Sequence, residues 1–171
     1  MPSTGRNLLL FAAGALLGVA LGGDLHGQAA VTSKPQRALV LLGGGWHADL
    51  SGAVAAARAE FPLGNGRFVF APGLTYAHYH MGSPTRIDVL VPEAQLQLRL
   101  ARGGTFRPYL SGGAGFALIN VLHTIDPVVT VGAGLRGDLM PHWEALIEVE
   151  ARSFAFDKGA AGWRLGLARR F

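Results

Sequence analysis

Glu148 and Glu150 are two carboxylates at a spacing that could support acid–base chemistry in this 171-residue chain. Two positions apart on an extended strand, both would lie on the same face, where one can act as an acid and the other as a base. Arginines recur in phase on neighbouring segments, at Arg136, Arg152 and Arg164. Ion pairing inside a folded protein is therefore the favoured interpretation, and we expect no catalytic residue in this cluster.

Histidines supply two further candidate sites. His78 and His80 would share one strand face, a spacing that can bind a metal ion, but no third ligand is evident nearby. That face also carries aromatic side chains, as in the girdle of a membrane barrel. His123 lies near Thr124 and Asp126, the one cluster that could belong to a hydrolase or acyltransferase site. We expect neither a bound metal nor any other cofactor.

Nucleotides and nucleic acids are not expected ligands. The glycines of Gly132-x-Gly134-x-x-Gly137 match the dinucleotide fingerprint, but that motif needs a helix after it, and here Pro141 follows. The formal net charge is +4, yet the basic residues are scattered singly apart from Arg169-Arg170, so no basic stripe exists for nucleic acid. The chain has no cysteine, which excludes disulfides, thiolate metal sites and a lipoprotein anchor.

The elements that carry these residues are predicted to be strands. From Ala38 onward apolar residues recur at every second position; in segment 143–152 this places the glutamates on one face, whereas a helix would scatter them. We predict eight strands with seven short connections, and an even number of antiparallel strands can close into a barrel. The turn-forming groups are Pro62-Leu63-Gly64-Asn65-Gly66, Gly82-Ser83-Pro84, Arg102-Gly103-Gly104, Asp126-Pro127, Met140-Pro141-His142 and Asp157-Lys158-Gly159.

The first residues are predicted to be a targeting segment. Arg6 precedes an unbroken apolar run at 8–23, and a more polar stretch (24–29) follows, with small residues at Gly27 and Ala29. This order is typical of a secretory signal peptide, and the run is shorter than a membrane-spanning helix needs. We therefore divide the chain into a cleaved signal peptide (1–29), a short periplasmic lead-in (30–37) and a barrel (38–171).

Polarity separates a soluble barrel from a membrane barrel. One face of the strands is almost wholly aliphatic and aromatic, whereas a soluble exterior would need many lysines and the chain has only two. We predict an all-β, eight-stranded antiparallel up-and-down transmembrane β-barrel. Its polar face, together with Arg170 and small residues, would form a lumenal charge network of Arg58, Glu60, Glu93, Arg99, Arg107, Arg136, Asp138, Glu144, Glu148, Glu150, Arg152 and Arg164.

The charges in this network nearly cancel, which favours a plugged lumen over an open pore. Glycines on the same face, among them Gly113, Gly115, Gly132 and Gly134, would make room for the large charged side chains. Trp143 and Trp163 are each placed at the beginning of a strand, and antiparallel neighbours begin at opposite membrane edges. We therefore expect these two tryptophans to mark the two membrane interfaces.

The last strands resemble those of small outer-membrane β-barrel domains (OmpA/OmpX/OmpW-like). The similar segments are residues 108–116 (PYLSGGAGF), 131–139 (VGAGLRGDL) and 145–152 (ALIEVEAR). Residues 164–171 (RLGLARRF) resemble the C-terminal signature of that family, which the barrel-assembly machinery reads. Leu165, Leu167 and Phe171 match this assembly signal, while Arg169 departs from it and is expected at headgroup level.

The expected function is that of a non-enzymatic integral outer-membrane protein of a Gram-negative bacterium. Its role would be structural, or it would bind a small solute and allow limited, porin-like passage. The expected partners are outer-membrane lipid and the barrel-assembly machinery, and the expected state is a monomer. Two alternatives stay open: an outer-membrane enzyme of the lipid A deacylase or acyltransferase type, and a soluble periplasmic barrel for a lipophilic ligand.

Overall fold

The computed structural model describes residues 36–47, 51–81, 85–101, 103–119, 124–155 and 158–171. The predicted signal peptide (1–29) and most of the lead-in (30–37) lie outside this part of the chain. The described residues form eight strands: β1 (Ala38–His47), β2 (Ser51–Leu63), β3 (Phe68–Met81), β4 (Thr85–Arg99), β5 (Phe106–Ile119), β6 (Thr124–Met140), β7 (Trp143–Phe154) and β8 (Lys158–Arg170).

The strands form one closed antiparallel barrel in chain order, with β8 pairing back onto β1. This confirms the predicted fold class. Hydrogen-bonded partners, followed once around the barrel from Glu144 through Val40 and Glu93, return to β7 at Phe154, ten positions further along. A shear of this size on eight strands tilts them by about 40° from the barrel axis.

The two ends of the barrel differ in what they carry. The terminal end, as we call it, is where β1 begins and β8 ends, and the turns at 64–67, 100–105 and 141–142 lie there. The far end carries the other four connections, each of three or four residues. Gly64 and Gly66 adopt φ values of 53° and 79° in the first turn, a conformation that favours glycine.

The two faces of the strands sort as the period-two pattern predicts. Outward positions carry large exposed side chains such as Leu41, Phe70, Val131 and Ile147, whereas alternate positions are buried in the lumen. Among the described residues, no helix is long and apolar enough to cross a membrane.

The turn predicted at Asp126-Pro127 is wrong, because both residues lie inside β6, opposite Ala117 and Phe116. The proline is accommodated because β7 ends beside it: the carbonyl of Pro127 accepts a hydrogen bond from the amide of Ala155 (2.9 Å), just past the last residue of β7. In an antiparallel sheet the N–H and the carbonyl of one residue point to the same neighbouring strand. The N–H that Pro127 lacks would therefore point towards β7, which ends at Phe154, so no ladder hydrogen bond is lost there.

The expectation that Trp163 begins its strand is also wrong. Trp143 does lie at the terminal end, but Trp163 is the sixth residue of β8 and pairs with Val149 and Gly45. It lies some 15–20 Å from Trp143 along the axis, and its side chain is on the outer surface. Nearer the far end, the side chains of Tyr76, His78 and Asp88 are joined by hydrogen bonds on that surface.

Candidate functional site

The predicted lumenal charges meet in the barrel as a single ladder of alternating sign. All twelve residues of the predicted network, together with Arg170, take part in it. Successive members come from strands that face each other across the lumen, such as β4 and β7 or β2 and β6, as well as from adjacent strands. The shear brings inward positions of these strands to similar heights along the axis. The ladder runs from the terminal-end mouth to a point well inside the far half.

The innermost part of the ladder lies between β4, β7 and β8. Arg152 contacts Glu93 at 2.8 Å and also pairs with Glu150. Arg164 joins Glu150 to Glu148, so each carboxylate here touches at least one guanidinium. Arg152, Arg164 and Glu148 are almost completely buried, at 2%, 1% and 0% relative exposure. Such charges are tolerated in an interior only when paired.

The middle of the ladder continues onto β2 and β6. Arg58 contacts Glu148 at 2.8 Å and Glu60 at 3.3 Å, which links the two parts. Arg136 pairs with Glu60 and, at 3.2 Å, with Glu144.

At the terminal end the ladder opens to solvent. Arg107 bonds both oxygens of Asp138 at 2.8 Å and reaches Glu144 at 2.7 Å, and Arg170 also contacts Asp138 at 2.9 Å. Asp138 was predicted inside the lumen, but its side chain is 45% exposed, so it belongs to the mouth. Arg99 comes no closer than 3.7 Å to its carboxylate, that of Glu60.

Uncharged polar residues that the site prediction omitted connect the ladder sideways. Tyr109 donates a hydrogen bond to Glu148 (2.6 Å) and accepts one from Arg58 (3.2 Å), and its ring lies 5.0 Å from the guanidinium of Arg136. Gln95, Gln97 and Thr75 bond other members of the ladder. These residues occupy the same alternate positions as the charged residues of their strands, and this is the sequence signal that could have identified them.

One of the predicted spacer glycines makes room for this tyrosine rather than for an arginine. A side chain at Gly134 would overlap the ring of Tyr109. At Gly115 the close neighbours are the backbone of Pro92 and the Cβ of Glu93. The glycines therefore admit both an aromatic ring and a charged side chain.

The far end of the interior is apolar, contrary to the expectation of a polar face along the whole strand. This apolar layer is a buried cluster of Val54, Ala77, Tyr79, Val89, Val91, Ala117, Val128 and Ala160. Within the described part of the lumen, the gap beside Arg58 and Arg164 measures about 10 Å³, room for one water molecule at most. The ladder and the apolar layer together occupy the described part of the lumen from the terminal end to the far end.

The remaining candidates lie elsewhere. His78 is on the outer face, where its Nδ1 lies 2.6 Å from Asp88 Oδ1, an oxygen that also accepts a hydrogen bond from Tyr76 (2.6 Å). The described residues contain no group of three or more His, Asp or Glu side chains that could hold a metal ion. His123 lies outside the described residues, and Thr124 and Asp126 begin β6.

The three residues of the predicted assembly signal all lie on the outer face. Leu165, Leu167 and Phe171 are exposed to 53%, 48% and 65%. Arg169, which departs from the signature, shares that face, and its guanidinium lies 5.9 Å from the ring of Trp143 and 5.3 Å from that of Phe171.

Comparison with known proteins identifies relatives of the fold only. No protein-family model and no curated protein matches the chain. Neisserial surface protein A is similar in structure at 10% identity and a TM-score of 0.63, over 80% of this chain and 96% of that one. The N-terminal β-barrel domain of Pseudomonas aeruginosa OprF is similar at 15% identity and a TM-score of 0.57, over 81% of this chain and 98% of that one. The outer membrane enzyme PagL is similar at 14% identity and a TM-score of 0.54, over 78% of this chain and 99% of that one.

These likenesses confirm, at the level of fold, the resemblance to small outer-membrane barrels. They do not decide the activity, because the fold is that of an enzyme as well as of a surface protein.

Proposed function

We propose that the protein is an integral β-barrel of a bacterial outer membrane, with a structural role and a lumen that conducts no solute. The fold is that of small outer-membrane barrels. The protein partner in this proposal is the barrel-assembly machinery, and the exported chain loses residues 1–29.

The observation that carries the proposal is the inverted polarity of the barrel. Arg152, Arg164 and Glu148 are buried, whereas Trp163 and Leu165 keep more than half of their surface exposed. In water both arrangements are unfavourable. In a bilayer the outer face is buried in hydrocarbon, and only the lumen needs polar partners. A soluble carrier of a lipophilic ligand would need the opposite arrangement.

The size of the apolar outer face agrees with a membrane span. On β3 the exposed outward residues run from Phe68 to Tyr76. At the tilt set by the shear, this segment covers about 20 Å along the axis. A transmembrane barrel has an apolar band of about 25 Å.

The contents of the lumen support a structural role without solute passage. The ladder fixes its arginines between carboxylates, and the apolar layer stops it short of the far end. A polar solute entering at the mouth would have to displace several ion pairs and then desolvate against the apolar layer.

Membrane fractionation combined with gel mobility tests the proposal. We expect the expressed protein to separate with the outer membrane and, before heating in SDS, to migrate as a compact barrel distinct from the boiled chain. A matched control is Trp163→Glu, which places a charge in the outward band and should lower the yield of folded protein in the membrane. Recovery of wild type in the periplasmic soluble fraction would overturn the proposal.

A lipid-modifying enzyme is the second candidate function, because Asp88 orients the imidazole of His78 at the outer surface. An imidazole held by a carboxylate can act as a general base. The structural proposal predicts identical membrane lipid profiles after expression of wild type and of His78→Ala at equal levels. A change of acyl composition that requires His78 would favour the enzyme instead.

A further inference from the structure

Cationic and aromatic side chains alternate along the outer face at the terminal end. Trp143 on β7 pairs in register with Arg169 on β8, and the amide of Phe171 donates a hydrogen bond to the carbonyl of Arg37 (2.9 Å). The guanidinium of Arg37 lies 5.8 Å from the ring of Phe61 on β2. We call these five residues the terminal-end row.

The rings of the row hold both guanidinium groups at the surface. Arg169 lies between the rings of Trp143 and Phe171, at 5.9 and 5.3 Å. A cation over an aromatic face is attracted by the ring quadrupole and loses rotameric freedom. Arg37 and Arg169 are diagonal neighbours across β1 and β8, about 7–8 Å apart at the backbone.

Neither arginine has a carboxylate partner among the described residues, and both are exposed. This sets them apart from the arginines of the ladder, each of which contacts a carboxylate. Two positive charges therefore face outward at one edge of an apolar band. In the proposed membrane, lipid headgroups would lie at this height.

We propose that the terminal-end row is a binding site for the phosphate of an anionic phospholipid headgroup, held by Arg37 and Arg169. This inference rests on the proposed membrane location and adds the class of lipid. Guanidinium groups donate paired hydrogen bonds to phosphate oxygens, and the aromatic rings pre-orient them. Phe61, Phe171 and Trp143 would contact the glycerol region of the same lipid.

Quenching of Trp143 by brominated lipid tests the site. The full mature chain carries Trp46→Phe and Trp163→Phe, so that Trp143 is its one tryptophan, and is folded into phosphatidylcholine vesicles containing brominated phosphatidylglycerol or brominated phosphatidylcholine. We expect the anionic lipid to bind beside Trp143 about five to twenty times more strongly than the zwitterionic one, since each basic residue near the surface contributes severalfold.

Variants and buffers separate the possible outcomes. Arg37→Gln with Arg169→Gln should bring the ratio close to one, whereas Arg67→Gln, which removes an exposed arginine from a turn at the same end, should leave it unchanged. A ratio that survives the double substitution, or that falls equally with Arg67→Gln, would overturn the assignment. If inorganic phosphate replacing chloride at equal ionic strength abolishes the preference, the ligand is free phosphate and the lipid assignment is wrong.

Gel mobility of the same samples distinguishes failure of this inference from failure of the proposed function. Vesicles that contain no compact, heat-sensitive barrel would contradict the membrane proposal itself. A compact barrel whose ratio is close to one would contradict the lipid site alone.

Discussion

Glu148 is the carboxylate that links the innermost part of the ladder to its middle part. It contacts Arg58, Arg164 and the hydroxyl of Tyr109, and it is fully buried. Removal of Glu148 would leave Arg58 with Glu60 alone and Arg164 with Glu150 alone. Both guanidinium groups would stay desolvated with less compensating charge, so the loss is larger than the net contribution of the ion pair.

Replacing Glu148 by Leu should therefore lower the free energy of unfolding by about 3–5 kcal/mol. Urea titration of the folded protein in detergent or lipid vesicles measures this. The matched control is Asp138→Asn, which removes a carboxylate from the same ladder at its exposed mouth and should cost at most about 1 kcal/mol. Equal losses of unfolding free energy for the two variants would mean that the burial of a carboxylate does not determine its contribution to stability.

At the scale of elements, the seam between β1 and β8 closes the barrel. A side chain at Gly44 would overlap the backbone of Trp163 and come within 2.8 Å of the Cα of Arg164. Gly43, one residue earlier, has no neighbour closer than 4.0 Å to such a side chain, because it faces outward.

Gly44→Ala should destabilise the barrel by about 1–3 kcal/mol, because the seam strands must separate to admit the methyl group. Gly43→Ala is the paired control and should leave the stability nearly unchanged. Thermal shift of the compact gel form compares the two. A loss at Gly43 as large as at Gly44 would show that backbone freedom, not close approach, sets the need for glycine on this strand.

The C-terminal strand carries the predicted assembly signal, and Phe171 is its exposed aromatic. Deleting Phe171 should reduce the yield in the outer membrane more than it reduces folding of purified protein in detergent, because the side chain packs little within the barrel. Phe106→Ala is the control, since Phe106 is an aromatic of similar exposure (63%) at the same end. Equal losses in both assays, or the same loss with Phe106→Ala, would contradict a role in assembly.

At the scale of the whole molecule, strand number, closure and facing could be predicted because a single period runs through the chain. Where only one face of a strand is polar, as in segment 143–152, the alternation shows which side chains point into the lumen and which point outward. The partners within the ladder could not be predicted, because pairing Arg58 with Glu148 depends on the register and shear of several strands.

The sequence predictions were wrong where both faces of a strand have similar polarity, or where turn-forming residues lie inside a strand. Around Val54, Val89 and Val128 both faces of the strands are apolar, so no polar phase indicates the interior and the apolar layer went unpredicted. Asp126-Pro127 has turn chemistry, but its position beside the end of β7 lets the strand continue. Trp163 was misplaced because the start of β8 lies five residues earlier, among small residues.

The central claim is a membrane-spanning barrel whose lumen is filled, and ion conductance across a planar bilayer tests it most directly. Folded wild-type protein, whose insertion is verified by gel mobility of the same preparation, should add no steady conductance at either polarity, because the ladder and the apolar layer leave no continuous water path. A reproducible ohmic conductance that scales with the amount of inserted protein would contradict the account.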